Sequence, residues 1–230
     1  MRFYLPVPVL FVGLMVFVVG TALFGNLSTS TWSVIAALMG GTGFFVYIKL
    51  LLKERHPLAS SSWVVWVVLD FMCVIGNIVD NEFNGLVLIY TAGAVVTCII
   101  LLCRDGMSKW DVWDKTCTAI ALVGVVLWQV FNYMPITIGS WDITGVKIGM
   151  FFAQVSGIVG SIPMWKKVWQ KPHSESAHAW VIWAWSCIAG IMAISEWTFV
   201  KASSPVTFAF IEWVICLVMY YRRCIKPPHQ

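Results

Sequence analysis

Charge is scarce in this chain. Only 11% of its 230 residues are Asp, Glu, Lys or Arg, and 60% are hydrophobic, whereas a soluble domain carries about 25% charged residues. The mean hydropathy of +0.83 agrees. A water-soluble globule and a disordered chain are both excluded by that shortage. Catalytic motifs are missing too. There is no H-E-x-x-H, C-x-x-C, G-x-S-x-G or P-loop. No cofactor, no metal site and no enzymatic activity are therefore expected. No lysine lies in the middle of an apolar run, which removes a Schiff base of the retinal kind. The net charge of +4 does not point to nucleic acid, because the basic residues sit at the ends of apolar runs. Seven cysteines, an odd number, lie in or near those runs and read as small buried hydrophobes. The first 25 residues lack a short apolar core followed by a small-residue cleavage site, so they read as a retained helix.

What the chain does have is long apolar segments. Eight are close to the ~20 residues a membrane-spanning helix needs: about 6–24, 32–52, 62–79, 85–103, 116–134, 144–165, 178–195 and 205–221. The connections between them are short and polar, such as "KERHPLASS", "MPITIGSWD" and "VKASSP". Asp111 and Asp114 in "WDVWD" read as part of a solvated loop. The lipid bilayer is the first partner this pattern implies.

The basic residues test the count. With eight spans, thirteen of the fifteen Lys and Arg fall on the side of the N-terminus, leaving Lys147 and Lys201 opposite. The opposite loops carry Asp80, Glu82, Asp142 and Glu196 instead. The positive-inside rule then places both termini in the cytoplasm of a cell (inner) membrane.

Tryptophan is abundant and oddly placed. The stretch "AHAWVIWAWSC" carries Trp180, Trp183 and Trp185, and "SWVVWVVLD" carries Trp63 and Trp66. Both pairs at three-residue spacing are related by a shift of 117. The same shift aligns Ala36 with Ala153, Gly40 with Gly157, Gly43 with Gly160, Lys49 with Lys166 and His56 with His173. Over residues 36 to 66 there are 8 identities in 31 positions, where composition alone gives roughly two or three. Segments 2–4 and 6–8 thus read as two copies of a three-helix unit. Three spans invert a second copy, and the fifth segment restores its direction, so the copies are parallel. The expected plan is 1+3+1+3: residues 1–25 an extra helix, 26–104 the first bundle, 105–136 a linker helix, and 137–230 the second bundle with a basic tail.

Helical periodicity places Trp63, Trp66, Asp70 and Asn77 on one narrow face. Trp180, Trp183 and Cys187 repeat it, and Trp185 points elsewhere. Interfacial belts also enrich tryptophan at helix ends, which is the other reading of Trp63 and Trp180. Asp70 and Glu212 lie deep in apolar segments, and an intramembrane acid is a functional candidate by default. Gln154 is a further deep polar group. The candidate solute site is therefore Trp63, Trp66, Asp70, Asn77, Gln154, Trp180, Trp183, Cys187 and Glu212. Gly157, Gly160 and Pro163 are candidate hinge residues, although close packing also explains such glycines.

Two parallel three-helix bundles joined by an inversion helix resemble the SWEET and PQ-loop superfamily, over about residues 30 to 225. The segment "GSIPMWKKVWQKPHSESAHAW" is similar to a PQ-loop repeat, with Met164 where glutamine is expected and Val46 in place of the proline in the first copy. The run W-x-x-W-x-x-x-(polar) resembles the PnuC-type vitamin transporters, which often have Asn at the last position, here Asp70 and Cys187. The resemblance implies a SWEET-like all-α membrane protein that facilitates passage of a small polar ring-bearing solute, vitamin- or nucleoside-like or a sugar. Asp70 would favour a cationic solute or proton coupling. The alternative is a non-transporting receptor or scaffold of the same fold that binds a peptide or lipid. A homo-oligomer, dimer or trimer, is compatible with either.

Overall fold

The computed structural model describes residues 28–53, 60–79, 85–105, 110–133 and 145–225. The expected extra helix at 6–24 lies outside them. Among the described residues all regular structure is helical: α1 (Thr29–Lys53), α2 (Ser60–Val79), α3 (Gly85–Asp105), α4 (Val112–Tyr133), α5 (Gly145–Gln170), α6 (Ala177–Met192) and α7 (Phe199–Tyr220), the last continuing into a π-helical turn, Tyr221–Ile225. The α1, α3, α4, α5 and α7 helices are long and apolar enough to cross a membrane, while Ser60–Val74 and Ala177–Met192 are shorter apolar stretches. The chain is an integral membrane protein on that ground. In a bilayer core the backbone has no water to bond to, and a helix satisfies its amides internally. Lipid-facing side chains are visible as stripes. Val34, Leu38, Phe45 and Leu52 of α1 are 56%, 68%, 69% and 69% exposed at helical spacing, as an apolar solvent permits.

Local chemistry sets several helix ends. Asp111 stands exposed just before α4, as a solvated loop residue does, and Asp114 lies in the first turn of the helix. Each accepts the other's backbone N–H, at 2.8 and 3.0 Å, and together they cap the start of α4. Asp111 also takes Lys166 Nζ at 2.7 Å, and Asp114 takes the Ser61 hydroxyl at 2.7 Å. Helix α7 begins six residues before the expected edge. Thr198 caps it by accepting the Lys201 N–H at 3.3 Å, and Pro205 falls within its first turns, so the "VKASSP" stretch is helical. The chain also stays helical through Pro163 to Gln170. At the C-terminus of α6 the helix stops at Met192, short of the expected 195.

The helices pack in a regular scheme. Both α1 and α2 pack on α3, and both α5 and α6 pack on α7. Between these two groups α1 packs on α6, and α2 on α5. Helix α4 lies chiefly against α5 and also touches α2. The basic helix ends gather at one end of the bundle. There Arg104 donates to the Leu51 carbonyl at 3.3 Å, Arg222 to that of Trp169 at 2.9 Å, and Arg223 to those of Pro172 and Glu175. Arg104 and Arg222 satisfy carbonyls in the last turns of α1 and α5, which helix termini leave without partners, and Arg223 satisfies two in the connection between α5 and α6.

Candidate functional site

The two copies of W-x-x-W meet in the interior. Trp63 and Trp66 lie edge to face at 5.0 Å, and Trp180 and Trp183 at 4.9 Å. Across the two helix groups, Trp63 meets Trp183 at 6.0 Å and Trp66 meets Trp180 at 6.0 Å. The four rings therefore close a cycle, each near-perpendicular contact placing a ring edge on a neighbour's face. Its two within-copy and two between-copy distances match in pairs. Trp63, Trp180 and Trp183 are each only 2% exposed. They are buried, not part of an interfacial belt. Phe44 packs on Trp183 at 4.8 Å and Tyr47 on Trp63 at 5.3 Å. Trp185 instead meets Trp213 of α7 edge to face at 5.6 Å, away from the ring.

Indole N–H groups buried in this way need acceptors. Trp66 donates to the Ser161 hydroxyl at 3.0 Å, Trp183 to the Gly40 carbonyl at 3.2 Å, and Trp180 to Glu175 Oε2 at 3.2 Å. The first two donations run from each copy's second helix to the other copy's first helix. Two glycines make this approach possible. A Cβ at Gly43 would overlap the Trp183 indole, and one at Gly160 would overlap Val65. Close packing therefore accounts for Gly160. At Gly157 a Cβ would meet Leu69 and Ile211 only at ordinary distance.

A cavity of about 40 Å³ opens beside the tryptophan ring, room for roughly three waters. Trp63, Trp66, Trp180 and Trp183 line it with Asp70 and Glu212, and Phe44, Tyr90 and Phe208 complete the aromatic wall. Glu212 is 5% exposed and well supplied with donors. The Tyr90 hydroxyl donates to Oε1 at 2.9 Å and the Cys187 thiol to Oε2 at 3.2 Å. Tyr90 also lies 2.8 Å from the Ser186 hydroxyl. Asp70 is 3% exposed, and among the described residues no group hydrogen-bonds to it. Among the described residues no Lys, Arg or His lines the cavity.

The other expected site residues fall elsewhere. Cys187 stands behind Glu212 and not on the wall. Gln154 donates to the Ser204 hydroxyl at 3.2 Å, tying α5 to α7, and Cys73 lies 3.6 Å from the same hydroxyl. The Asn77 side chain is outside the described residues. Periodicity did not single out Phe44, Tyr90 or Phe208, which look like ordinary apolar residues in apolar helices. Glu175 was also missed, because it sits in the polar stretch "QKPHSESAH". It is 3% exposed, and its Oε2 accepts both the Trp180 N–H and the Tyr47 hydroxyl, the latter at 3.1 Å. Burial pushes its carboxyl up to about 7, against the opposing pull of Trp180, Lys167, Tyr47 and Arg223. Among the described residues no group of His, Cys, Asp and Glu is arranged to hold a metal.

Comparison with protein-family models, with curated proteins and with solved structures finds no match. The reading of this site rests on its own geometry: an aromatic-walled interior cavity with two acids and no base, set between two helix groups. An interior cavity with mostly apolar walls and a few convergent polar groups is the kind of place where a small molecule can be held out of water.

Proposed function

We propose that the chain is a membrane transporter of the SWEET-like kind, which facilitates passage of a small polar ring-bearing solute through a site between two repeats. The observation that carries this reading is the closed four-tryptophan ring. Its rings come in equal numbers from residues related by the shift of 117, and its distances are paired as a two-fold relation between copies requires. The packing scheme supports the same plan. First and second helices pack on the third in both groups, and each first helix meets the other group's second. On this reading α1–α3 and α5–α7 are the two parallel bundles, α4 is the inversion helix, and segment 6–24 is the extra span of a 1+3+1+3 architecture. The collected basic ends are the cytoplasmic side, with both termini there and the cell (inner) membrane as the setting.

Two parallel bundles with a site at their interface move solute by rocking against each other. The cavity holds only about 40 Å³, so a ring-bearing solute enters when the bundles part. Gly157, with room around it, and Pro163, which frees a backbone carbonyl inside α5, are the proposed places for the bend. Trp66 and Trp183 would stack on the solute. The test is counterflow of labelled solutes into liposomes carrying the purified protein, with vitamins, nucleosides and sugars as the panel. Exchange by the wild type that is lost in Trp66→Ala and Trp183→Ala supports the reading. Absence of exchange for every solute, in protein that is folded and inserted, refutes it.

A further inference from the structure

A carboxyl buried in a membrane interior needs a partner in either protonation state. Ionised, it needs a cation or hydrogen-bond donors, and protonated, it needs an acceptor for its O–H. Glu212 has its donors in Tyr90 and Cys187. Asp70 has none among the described residues, yet it is 3% exposed and faces the same cavity. Among the described residues no basic side chain lines that cavity to balance either acid. The remaining wall is mostly aromatic, and an aromatic face is the negative pole of the ring quadrupole. The two carboxyls therefore favour positive charge, and the buried Trp63 N–H, which lacks an acceptor, is the one polar group of the described wall that favours an acceptor atom on the solute. A neutral solute leaves Asp70 without a counter-charge, and an anion meets two acids.

Resting on the transport reading above, we propose that the solute is a small organic cation, its positive nitrogen held by Asp70 with Glu212 nearby and faced by the rings of Trp66, Trp183 and Tyr90. Cation–π attraction is strongest where the cation is desolvated. The roles of the two acids differ. Asp70, which no described side chain hydrogen-bonds, is the carboxyl that meets the cation. Glu212, held by two donors, is fixed in place and sets the sign of the field. The closed cavity of about 40 Å³ holds neither a ring-bearing solute nor choline, so the cation too enters when the bundles part.

Choline and guanidinium are suitable probes, because each has a neutral twin of the same shape. Dimethylbutanol carries a tert-butyl group in place of the trimethylammonium, and urea replaces guanidinium. The full-length protein in lipid nanodiscs is titrated at about pH 8 with each pair, reading tryptophan fluorescence and melting temperature. The expected result is that at least one cation binds tenfold or more tightly than its twin. Asp70→Asn should abolish that preference, and Glu212→Gln should reduce it. If neither cation is preferred by the wild type, the proposal is overturned, and this arm needs no variant to fold. A preference that survives both substitutions in folded protein overturns it as well. Counterflow separates the two readings. Cation preference without exchange of labelled choline or guanidinium leaves this proposal standing and counts against transport. Exchange of a neutral ring-bearing solute without cation preference does the reverse.

Discussion

Glu175 should make the stability of the folded protein depend on pH in a direction opposite to that of most carboxylates. An ordinary glutamate titrates near 4.5, and burial raises this one to about 7. Between those values the folded chain keeps a proton that the unfolded chain has released. The stabilising contribution is therefore fully present below about 4.5 and is lost as pH rises through about 7. At 1.36 kcal/mol per pH unit, the difference of roughly 2.5 sets an upper limit of about 3 kcal/mol. Glu175→Gln keeps an oxygen to accept from Trp180 and Tyr47 and has no charge to bury. Its stability should match the wild type near about pH 5 and exceed it by up to about 3 kcal/mol near about pH 8.5. Melting of both proteins across that range in one detergent is the assay. His173, held below its usual value by burial and by Arg223, titrates in both proteins and cancels in the comparison. Since Glu175 holds Trp180, a wall residue, the same titration should appear in tryptophan fluorescence. Parallel melting profiles for wild type and variant would refute the reasoning.

Three further outcomes are expected. Gly43→Ala places a methyl on the Trp183 indole and should cost about 1–3 kcal/mol while changing the fluorescence of the tryptophan ring; unchanged stability and emission would show that the contact is loose. Trp66→Ala and Trp183→Ala should weaken solute binding by about 1–3 kcal/mol per lost ring, by analogy with stacking on nucleobases, whereas Trp185→Ala, whose ring packs on Trp213 away from the four-tryptophan ring, should spare it. Equal binding losses at all three positions would mean that the tryptophans act as one structural cluster. Gln154→Ala removes the bond to Ser204 and should lower stability by about 1 kcal/mol without changing solute selectivity; a selectivity change measured in the same titration would place Gln154 at the solute.

The shortage of charge and the spacing of apolar runs by themselves determined that the chain is helical and membrane-embedded. These are properties of solvent and period, and they act on each segment alone. The same holds for the common face of Trp63, Trp66 and Asp70, because 100° per residue decides which side chains share a face. Periodicity does not say which helix that face meets. Only the tertiary structure joined the two tryptophan pairs into one ring, since that contact runs between copies and depends on glycines at 43 and 160 admitting an indole and Val65. It also brought Glu212 to Asp70's cavity from 142 positions away in the chain, and sent Gln154 to Ser204 instead. The capping bonds of "WDVWD" were not foreseen and the start of α7 at Phe199 was misread for a related reason: a cap is made by geometry between neighbours, which composition does not carry. Glu175 shows the limit most clearly. In sequence it is one more polar residue of a loop, and burial under Trp180 and Tyr47, a property of the packed chain, is what turns it into a group that titrates near neutrality.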